Sequence, residues 1–426
     1  MTYRLVFGAA TFVLLFCFSI TSQAQVGPLD LSGELNGAPY RIRVPANWNG
    51  TLLVFAHGYR DKADHFGEVD NRNADVAPSA ALEVPLLAQG YALAGSAYRD
   101  NGWAVEDAVQ DVKDLTVLFR ETVAQPKQTI LWGVSLGSVI TLKSMERFGG
   151  IYDGALCGCA TGAGSTRIWD GGVAGYLAYD VVFGIPATWG TTAEIRNDID
   201  FETEVFPKLF GEVSNPLNFP RFEFIRLVGG VPGQGINPPP PPAFYPGWVF
   251  TDFFFLTEAR AELQRRAGGN FIQNLDQVYS LTPAERAYLI GLGVPGFVVD
   301  GWLAQMNSAT NIAAPPAPRN YVRHNADFSG KIKNPVLTIH TVIDPLVVVA
   351  NESAYAETIR SAGRNGLLFQ VYTNGNGHCA FTGPQLLTAV NAIDNWVRTG
   401  VRPTEGQFPA AAGFVPGFVP PPFPQP

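Results

Sequence analysis

Runs of apolar residues alternate with polar stretches through the first part of the chain. From Tyr40, apolar and polar residues take turns along YRIRVP, which predicts a half-buried edge strand. Leu52 to Ala56 is a continuous apolar run followed closely by a glycine, as central strands of parallel sheets are. Gly90 to Arg99 predicts another strand. Glu106 to Val123 carries apolar residues at helical spacing and predicts a helix.

The next stretch, TILWGVSLGSVITLKSMERFGG, predicts a strand, a sharp turn and a helix that is closed by Gly149 and Gly150. A further strand is predicted in YDGALCGCATG, residues 152–162. Strands that alternate with helices over this length are typical of one fold class. We therefore predict an α/β fold with a mostly parallel central sheet and helices on both faces.

This alternation stops between residues 162 and 329, which are rich in aromatic residues, proline and glycine. Thr282 to Glu285 is a good helix start, with threonine as the N-cap and glutamate three residues later. We predict a mainly helical insertion with proline-stiffened loops. Its aromatic residues are candidates for an acyl or aryl pocket, although packing of the insertion explains most of them equally well. These are Trp169, Tyr176, Trp189, Phe244, Tyr245, Trp248, Phe253, Phe254 and Phe255.

The strand and helix pattern returns after residue 330. NPVLTIHTVID predicts a strand, Glu352 to Ala362 a helix, LLFQVYTNGNGHC a strand and loop, and Pro384 to Arg398 a closing helix. The core is therefore expected to combine residues 25–161 with residues 330–402. Residues 403–426 are proline-rich and lack periodicity, so we expect a tail that is disordered or draped in an extended form.

The first 24 residues have the pattern of a secretory signal peptide. Arg4 supplies the positive start, Leu5 to Ile20 are mostly apolar, and Ser22 and Ala24 are small residues at the cleavage positions. A membrane anchor is the alternative, but the apolar stretch is short for a membrane span. We expect a secreted or periplasmic protein with no membrane span in its mature form.

Composition and charge exclude several classes of partner. The chain has 426 residues, 46% of them hydrophobic and 15% charged, with a formal net charge of −8. A mildly acidic protein without a basic run gives no reason to expect nucleic acid as a partner. No metal ligands at characteristic spacing and no phosphate-binding glycine loop stand out in the sequence, so neither a metal nor another cofactor is expected. The sequence does not indicate the oligomeric state.

Export would place Cys157, Cys159 and Cys379 in an oxidising compartment. Three thiols make one bridge and leave one over. Cys157 and Cys159 lie two apart in one predicted strand, where they cannot easily bond to each other. We expect a disulfide from one of them to Cys379, with both pairings open. Three buried free thiols are the alternative.

Gly133-Val134-Ser135-Leu136-Gly137 is a G-x-S-x-G sequence between a predicted strand and a predicted helix. In that setting the glycines allow a reversal so sharp that a Cβ would clash, and the serine is held in a strained conformation above the sheet. The N-terminus of the following helix favours negative charge at the same point. Ser135 is therefore the candidate nucleophile.

A serine hydroxyl needs a base to take its proton, and the chain has five histidines. His378 lies in a glycine-rich loop after the last predicted strand, from which an imidazole can reach back over the sheet edge. His57 and His340 belong to strands or their ends, and His65 and His324 lie in polar surroundings. His378 is the predicted base.

The base needs an acid to orient it. Asp344 follows directly on the strand PVLTIHTVI and precedes a proline, which leaves its carboxylate at the same sheet edge as Ser135 and His378. Asp300 and Asp327 have no preceding strand. Asp344 is therefore the predicted acid, although an aspartate before proline is often only a turn former.

The order Ser135, Asp344, His378 resembles that of the α/β-hydrolase superfamily. The resemblance rests on HG at 57–58, GVSLG at 133–137, IDP at 343–345 and GHC at 377–379. The resemblance covers residues 40–160 and 330–400. Within the superfamily, the chain is most similar to secreted bacterial and fungal hydrolases. In such proteins an insertion at this position is a lid over the active site.

The resemblance also implies roles around the nucleophile. The backbone N–H groups of Leu136 and Tyr59 would form the oxyanion hole. His57 would organise its loop, and Gly58 would let the backbone approach the substrate. One departure is Ser138, where many relatives carry a second glycine, but serine is small enough for helix packing to survive.

These inferences predict a secreted serine hydrolase that cleaves carboxylic esters, in small molecules or polymers, through an acyl-enzyme. A serine peptidase or amidase of the prolyl-oligopeptidase kind is the nearest alternative, and it would need a recognition domain for which the N-terminal segment is too short. A non-catalytic binding protein on the same fold is a further alternative.

Overall fold

A computed structural model describes residues 27–232, 246–275 and 277–423. The predicted signal peptide, residues 1–24, lies outside the described residues. The described strands form one eight-stranded sheet in the order β1-β2-β4-β3-β5-β6-β7-β8. They are β1 Leu29–Leu35, β2 Ala38–Val44, β3 Thr51–Ala56, β4 Ala92–Ser96, β5 Gln128–Val134, β6 Gly154–Gly158, β7 Val336–Ile343 and β8 Leu368–Asn376.

The sheet is mostly parallel, as the sequence predicts. β2 pairs antiparallel with both β1 and β4, and the strands from β4 to β8 pair in parallel. The prediction that the Tyr40 strand lies at the edge is wrong, because β1 covers its outer side. Most residues of β1 are exposed, so its sequence carries little of the burial pattern that marks a strand.

Successive side chains of β3 supply two hydrophobic cores, one on each face of the sheet. Leu52 and Val54 belong to the core beneath α2 (Val105–Thr122) and α3 (Leu136–Arg147), whereas Leu53 and Phe55 belong to the core beneath α1 (Ala80–Ala88) and α13 (Gly383–Thr399). All four are buried, which stabilises the fold by about 1.5–3 kcal/mol for each large apolar side chain. The core helices are α1 Ala80–Ala88, α2 Val105–Thr122, α3 Leu136–Arg147, α12 Ala350–Ser361 and α13 Gly383–Thr399.

The insertion is mainly helical and has a hydrophobic core of its own. Its helices are α4 Ser165–Phe183, α5 Phe206–Val213, α6 Phe219–Val228, α7 Pro246–Phe254, α8 Arg260–Ala267, α9 Pro283–Gly291, α10 Gly296–Ser308 and α11 Pro316–Ala326. The predicted capping box at Thr282 and Glu285 begins α9. A buried ion pair of 2.7 Å between Arg319 and Asp170 ties α11 to α4. We call residues 162–329 the cap.

The tail is ordered as far as the structure describes it. Residues 403–423 follow an extended path with two short 3-10 turns, so the expectation of disorder is wrong for them. Phe408 and Phe414 are buried in the core beneath α13, and Phe414 forms a β-bridge with Thr373. Phenylalanines spaced along the proline-rich segment supply the apolar contacts that hold it. Among the described residues, no helix combines the length and the apolarity that a membrane crossing requires.

The turn after β5 packs against the end of β3 without room for side chains. A Cβ at Gly133 would lie 2.3 Å from the carbonyl oxygen of Gly137. A Cβ at Gly137 would lie 2.0 Å from the carbonyl oxygen of Ala56. These separations are far below any contact that a real Cβ makes, so both positions require glycine.

Gly137→Ala is therefore expected to lower the free energy of unfolding by about 3 kcal/mol or more, because backbone must move to admit the methyl group. Chemical denaturation measures the loss. Gly211→Ala in α5 is the matched control, since a Cβ there meets nothing within 4 Å and alanine stabilises a helix by about 0.5–1 kcal/mol relative to glycine. Equal stability of the two variants would contradict the packing described here.

Candidate active site

The three residues predicted for nucleophilic chemistry all follow strands at the same edge of the sheet. Ser135 comes directly after β5, Asp344 directly after β7, and His378 two residues after β8. Because β5, β7 and β8 run parallel, their carboxyl ends meet at one edge, where open α/β sheets bind ligands.

His378 connects the other two side chains. Its Nε2 lies 2.8 Å from Ser135 Oγ, and its Nδ1 lies 2.8 Å from Asp344 Oδ2. An ionised carboxylate only accepts hydrogen bonds, so Nδ1 carries the proton and Nε2 is left to accept from the serine hydroxyl. This is the arrangement in which an imidazole can remove the hydroxyl proton.

Ser135 sits in a strained turn that neighbouring hydrogen bonds hold in place. Its φ of 54° and ψ of −126° are unusual for a residue with a side chain. Its N–H donates to the carbonyl of Gly158 at 3.0 Å, which ties the turn to the end of β6. The N–H and hydroxyl of Ser138 both donate to the Ser135 carbonyl, at 2.8 and 2.6 Å. The serine at position 138 therefore supports the turn, and its side chain is fully buried.

Asp344 is fully buried and held from both sides. Its Oδ1 accepts hydrogen bonds from the N–H groups of Leu346 and Val347 at 3.0 and 2.9 Å, and its Oδ2 faces His378. Burial alone would raise the pKa of this carboxyl, but the hydrogen bond and the charge of His378 outweigh burial, so the pKa is lowered. The acid therefore stays ionised where it orients the imidazole.

A disulfide joins Cys159, which follows β6, to Cys379, which follows His378. Their Cα atoms lie 5.3 Å apart, and both residues have positive φ angles, 44° and 50°. Cys157 is buried and free, which settles the pairing that the sequence left open. The bridge ties the histidine loop to the strand beside the nucleophile.

The resemblance assigns the oxyanion hole to the backbone amides of two residues of the cavity. Tyr59 and Leu136 line the same cavity as Ser135. Neither amide donates a hydrogen bond to another group in the described part of the chain. Gly58 brings the backbone close, since a Cβ there would lie 3.4 Å from the Cβ of Ser135. Neither N–H group is therefore engaged within the described part of the chain.

His57 lies under this loop and supports it. Its ring stacks on Tyr98 at 3.9 Å, and its Nδ1 lies 2.7 Å from the carbonyl oxygen of Gly58. Burial, with a smaller contribution from Arg60, lowers the pKa of His57 to about 3. His57 is therefore neutral at physiological pH. His340 is fully buried within β7.

A cavity of about 450 Å³ opens over Ser135 between the core and the cap. Its volume lies within the range of ordinary small-molecule sites. Four of the nine aromatic candidates line it, namely Trp169, Trp248, Phe253 and Phe255. Tyr176 and Trp189 are buried in the cap core, and Phe254 packs on Tyr59 at 5.9 Å. Phe244 and Tyr245 lie outside the described residues.

Sequence reasoning missed two charged residues of the cavity wall, Asp252 and Arg167. Asp252 stands alone as a charged residue in the apolar run WVFTDFFFL, and that isolation was the available signal. Its Oδ1 is buried and accepts no hydrogen bond from the described residues. Burial, and then the charge of Asp344, raise the pKa of Asp252 well above its usual value. Arg167 lies at the start of α4, in the cap, and no pattern in the sequence marked it as part of the site.

A separate acidic cluster lies where the cap meets the loop after Tyr59. Carboxylate oxygens of Asp61, Glu68 and Glu258 lie within 4.8 Å of one another. Burial raises the pKa of Glu258 to about 8, and the charge of Asp61 adds to this. Asp61 and Glu68 are exposed, and exposed acidic groups are common without a metal, so we assign no metal site here.

The strand order, the strained serine between Gly133 and Gly137, and the order of the three side chains along the chain define an α/β-hydrolase fold with a helical cap. The structure therefore confirms the fold that the resemblance in the sequence implies. No protein-family model matches the chain.

Among curated proteins, the chain is similar to an o-phthalyl amidase from Xanthobacter agilis, with 30% identity over 141 residues. The alignment covers 32% of this chain and 27% of the amidase. The chain therefore spans about a quarter of the length of the curated relative that it matches.

Solved structures of hydrolases also align with the chain. Feruloyl esterase B from Aspergillus oryzae is 14% identical, with a TM-score of 0.44, over 87% of this chain and 80% of that one. An esterase from Pyrococcus furiosus is 12% identical, with a TM-score of 0.40, over 88% and 91%. Proline iminopeptidase from Mycobacterium smegmatis is 10% identical, with a TM-score of 0.38, over 87% and 98%. All three TM-scores are below 0.5, so the fold assignment rests on the strand order and not on these likenesses.

Asp252→Asn is expected to stabilise the protein increasingly as the pH rises above about 4, the ordinary carboxyl pKa. The raised pKa means that the folded protein keeps a proton that the unfolded chain has already lost, so wild-type stability falls as pH rises through that window. Asparagine removes this dependence. We expect a gain of about 2 °C in Tm at pH 8 and less at pH 4.

Differential scanning calorimetry at several pH values measures the effect. The matched control is Asp300→Asn, an exposed aspartate whose pKa is instead lowered by its hydrogen bond to Arg286. A gain for Asp252→Asn that is equal at all pH values, or a loss that grows with pH, would contradict the burial of this carboxyl.

Proposed function

We propose that the protein is a serine hydrolase that cleaves carboxylic esters through an acyl-enzyme. The observation that carries the proposal is the continuous path from Asp344 Oδ2 through His378 to Ser135 Oγ, with both separations at 2.8 Å. Three side chains from distant parts of the chain meet at one sheet edge, beside two free backbone amides and a cavity. Such a constellation is recognised by its geometry and roles rather than by sequence position.

In the first half of the reaction, Ser135 Oγ attacks the ester carbonyl carbon while His378 Nε2 takes the hydroxyl proton. Asp344 holds the imidazole and stabilises its positive charge. The carbonyl oxygen becomes an oxyanion, which the N–H groups of Tyr59 and Leu136 bind. His378 then gives its proton to the departing alkoxide. The alcohol leaves, and the acyl group remains on Ser135.

In the second half, water takes the place of the alcohol. His378 removes a proton from the water, whose oxygen attacks the acyl carbon, and the same two amides bind the new oxyanion. The proton returns to Ser135 Oγ as its bond to the acyl carbon breaks. The products are a carboxylic acid and the free enzyme.

The cavity supports an ester with an apolar acyl or aryl part. Apolar side chains, both aliphatic and aromatic, make up most of its wall, and a volume of about 450 Å³ accommodates one apolar acyl or aryl group rather than a long polymer segment. A polymer could place a single side group in this cavity. The cavity volume therefore limits the size of the acyl group and not the size of the whole substrate.

Amide hydrolysis is the second candidate reaction, and the relative named o-phthalyl amidase favours it. A peptidase of the prolyl-oligopeptidase kind is less well supported, because all strands among the described residues belong to one sheet and form no propeller. The path from Asp344 to Ser135 argues against a non-catalytic binding protein.

Ser135→Ala is expected to lower kcat for 4-nitrophenyl butyrate by about 10⁴-fold or more, because the nucleophile is lost. Release of 4-nitrophenol measures the rate. Ser361→Ala, at the exposed end of α12, is the matched control and should keep wild-type activity. Retention of wild-type turnover by Ser135→Ala would contradict the proposal.

The same assay separates the two candidate reactions. Wild-type protein should turn over the butyrate ester faster than an aminoacyl-4-nitroanilide, because 4-nitrophenolate leaves more readily than 4-nitroaniline. Faster cleavage of the anilide would instead support an amidase.

We also propose that the protein acts after export, in the medium or the periplasm. The apolar N-terminal pattern supports this, and so does the disulfide beside His378, since disulfides persist in oxidising compartments.

Intact mass analysis of protein recovered from the medium or periplasm should give a chain that begins at Gln25, after loss of the 24-residue signal. A mature chain that keeps its first residues and stays in the cytoplasm would contradict export.

A further inference from the structure

Arg167 brings an unpaired positive charge to the wall of the cavity that holds Ser135. It is the third residue of α4. Its guanidinium makes no hydrogen bond or ion pair with any residue that the structure describes. The guanidinium carbon lies 4.8 Å from the ring centroid of Phe423, which lines the same cavity. A guanidinium stacked in this way keeps its N–H donors in the plane of the group, where a ligand can reach them.

Asp327, the carboxylate whose charge acts on Arg167, already accepts other hydrogen bonds. Burial lowers the pKa of Arg167, and the negative charge of Asp327 opposes this with a smaller effect. Both oxygens of Asp327, however, accept hydrogen bonds from Thr166, at 2.9 Å from the N–H and 2.5 Å from the hydroxyl. Arg167 is thus partly desolvated without a partner, a condition that an anionic ligand relieves.

The second charged group of the wall does not cancel this charge. Burial of its carboxyl, and then the charge of Asp344, raise the pKa of Asp252 well above the usual carboxyl value, which favours its uncharged form. Among the described lining residues, Arg167 and Asp252 are the ones with ionisable acidic or basic side chains other than tyrosine. The described lining therefore offers one basic side chain, Arg167, to an anionic ligand, although the protein as a whole carries a formal net charge of −8.

We infer that Arg167 binds a free carboxylate on the acyl part of the substrate while Ser135 attacks the ester carbonyl. This inference rests on the proposed function. Aromatic side chains line the same cavity, among them Trp169, Phe253 and Phe255. The substrate class that combines an aryl group, a carboxylate and a neighbouring acyl bond is the monoester of an aryl dicarboxylic acid.

The test compares charged and neutral esters that share one leaving group. The substrates are the monomethyl esters of phthalic, isophthalic and terephthalic acid, which place the carboxylate at three distances, together with methyl benzoate. Product acids are quantified by chromatography. Wild-type protein should favour at least one monoester over methyl benzoate by about 10-fold or more in kcat/KM, as expected for hydrogen bonds to a charged group.

Arg167→Met should lower that preference ratio by about 10- to 100-fold, and Arg167→Lys should lower it less, since it keeps the charge but loses the planar fork. Arg221→Met is the matched control, because Arg221 also stacks on a ring, Phe183 at 5.6 Å, but does not line the cavity. It should keep the wild-type ratio. Thermal unfolding confirms that each variant is folded.

Two outcomes would overturn the inference. One is a wild-type protein that cleaves 4-nitrophenyl butyrate but favours none of the monoesters over methyl benzoate. The other is an unchanged preference ratio in Arg167→Met. Absence of turnover for every ester, 4-nitrophenyl butyrate included, would instead contradict the proposed function itself, so the two failures are distinguishable.

Discussion

Backbone packs directly on backbone where the turn after β5 meets the end of β3, and the candidate site depends on this contact. A Cβ at Gly137 would lie 2.0 Å from the carbonyl oxygen of Ala56, so the turn fits only without side chains. The contact fixes Ser135 at a φ of 54° and lifts its hydroxyl above the sheet edge. His378 can meet that hydroxyl only because β5, β7 and β8 all end at the same edge.

The sequence was sufficient for the core and for the three converging side chains, and the reason is physical. Central strands are buried on both faces and read as continuous apolar runs, and the glycines at 133 and 137 reflect an absolute steric limit. Ser135 and Asp344 follow such strands, and His378 follows the edge strand β8, so predicting the strands also predicted where these residues meet. Patterns that arise from burial and from excluded volume are local, and they can be read from one chain.

Features that depend on distant surfaces could not be read in this way. The exposed strand β1 has almost no burial pattern. Proline removes periodicity, so the sequence left both disorder and an extended path open for the tail, and its phenylalanines find apolar surface that only the folded core provides. Whether Cys157 or Cys159 bonds to Cys379 depended on local backbone geometry at the end of β6. Asp252 and Arg167 reach the cavity only through the packing of the cap on the core.

Covalent labelling with a fluorophosphonate, followed by peptide mass spectrometry, tests the central claim most directly, because the reagent reacts with a serine only when a base activates it. The account predicts a single adduct on Ser135 in folded wild-type protein. It also predicts labelling at least about 100-fold slower in His378→Gln, which removes the base. Folded wild-type protein that stays unlabelled, or that carries its adduct on another residue, would contradict the account.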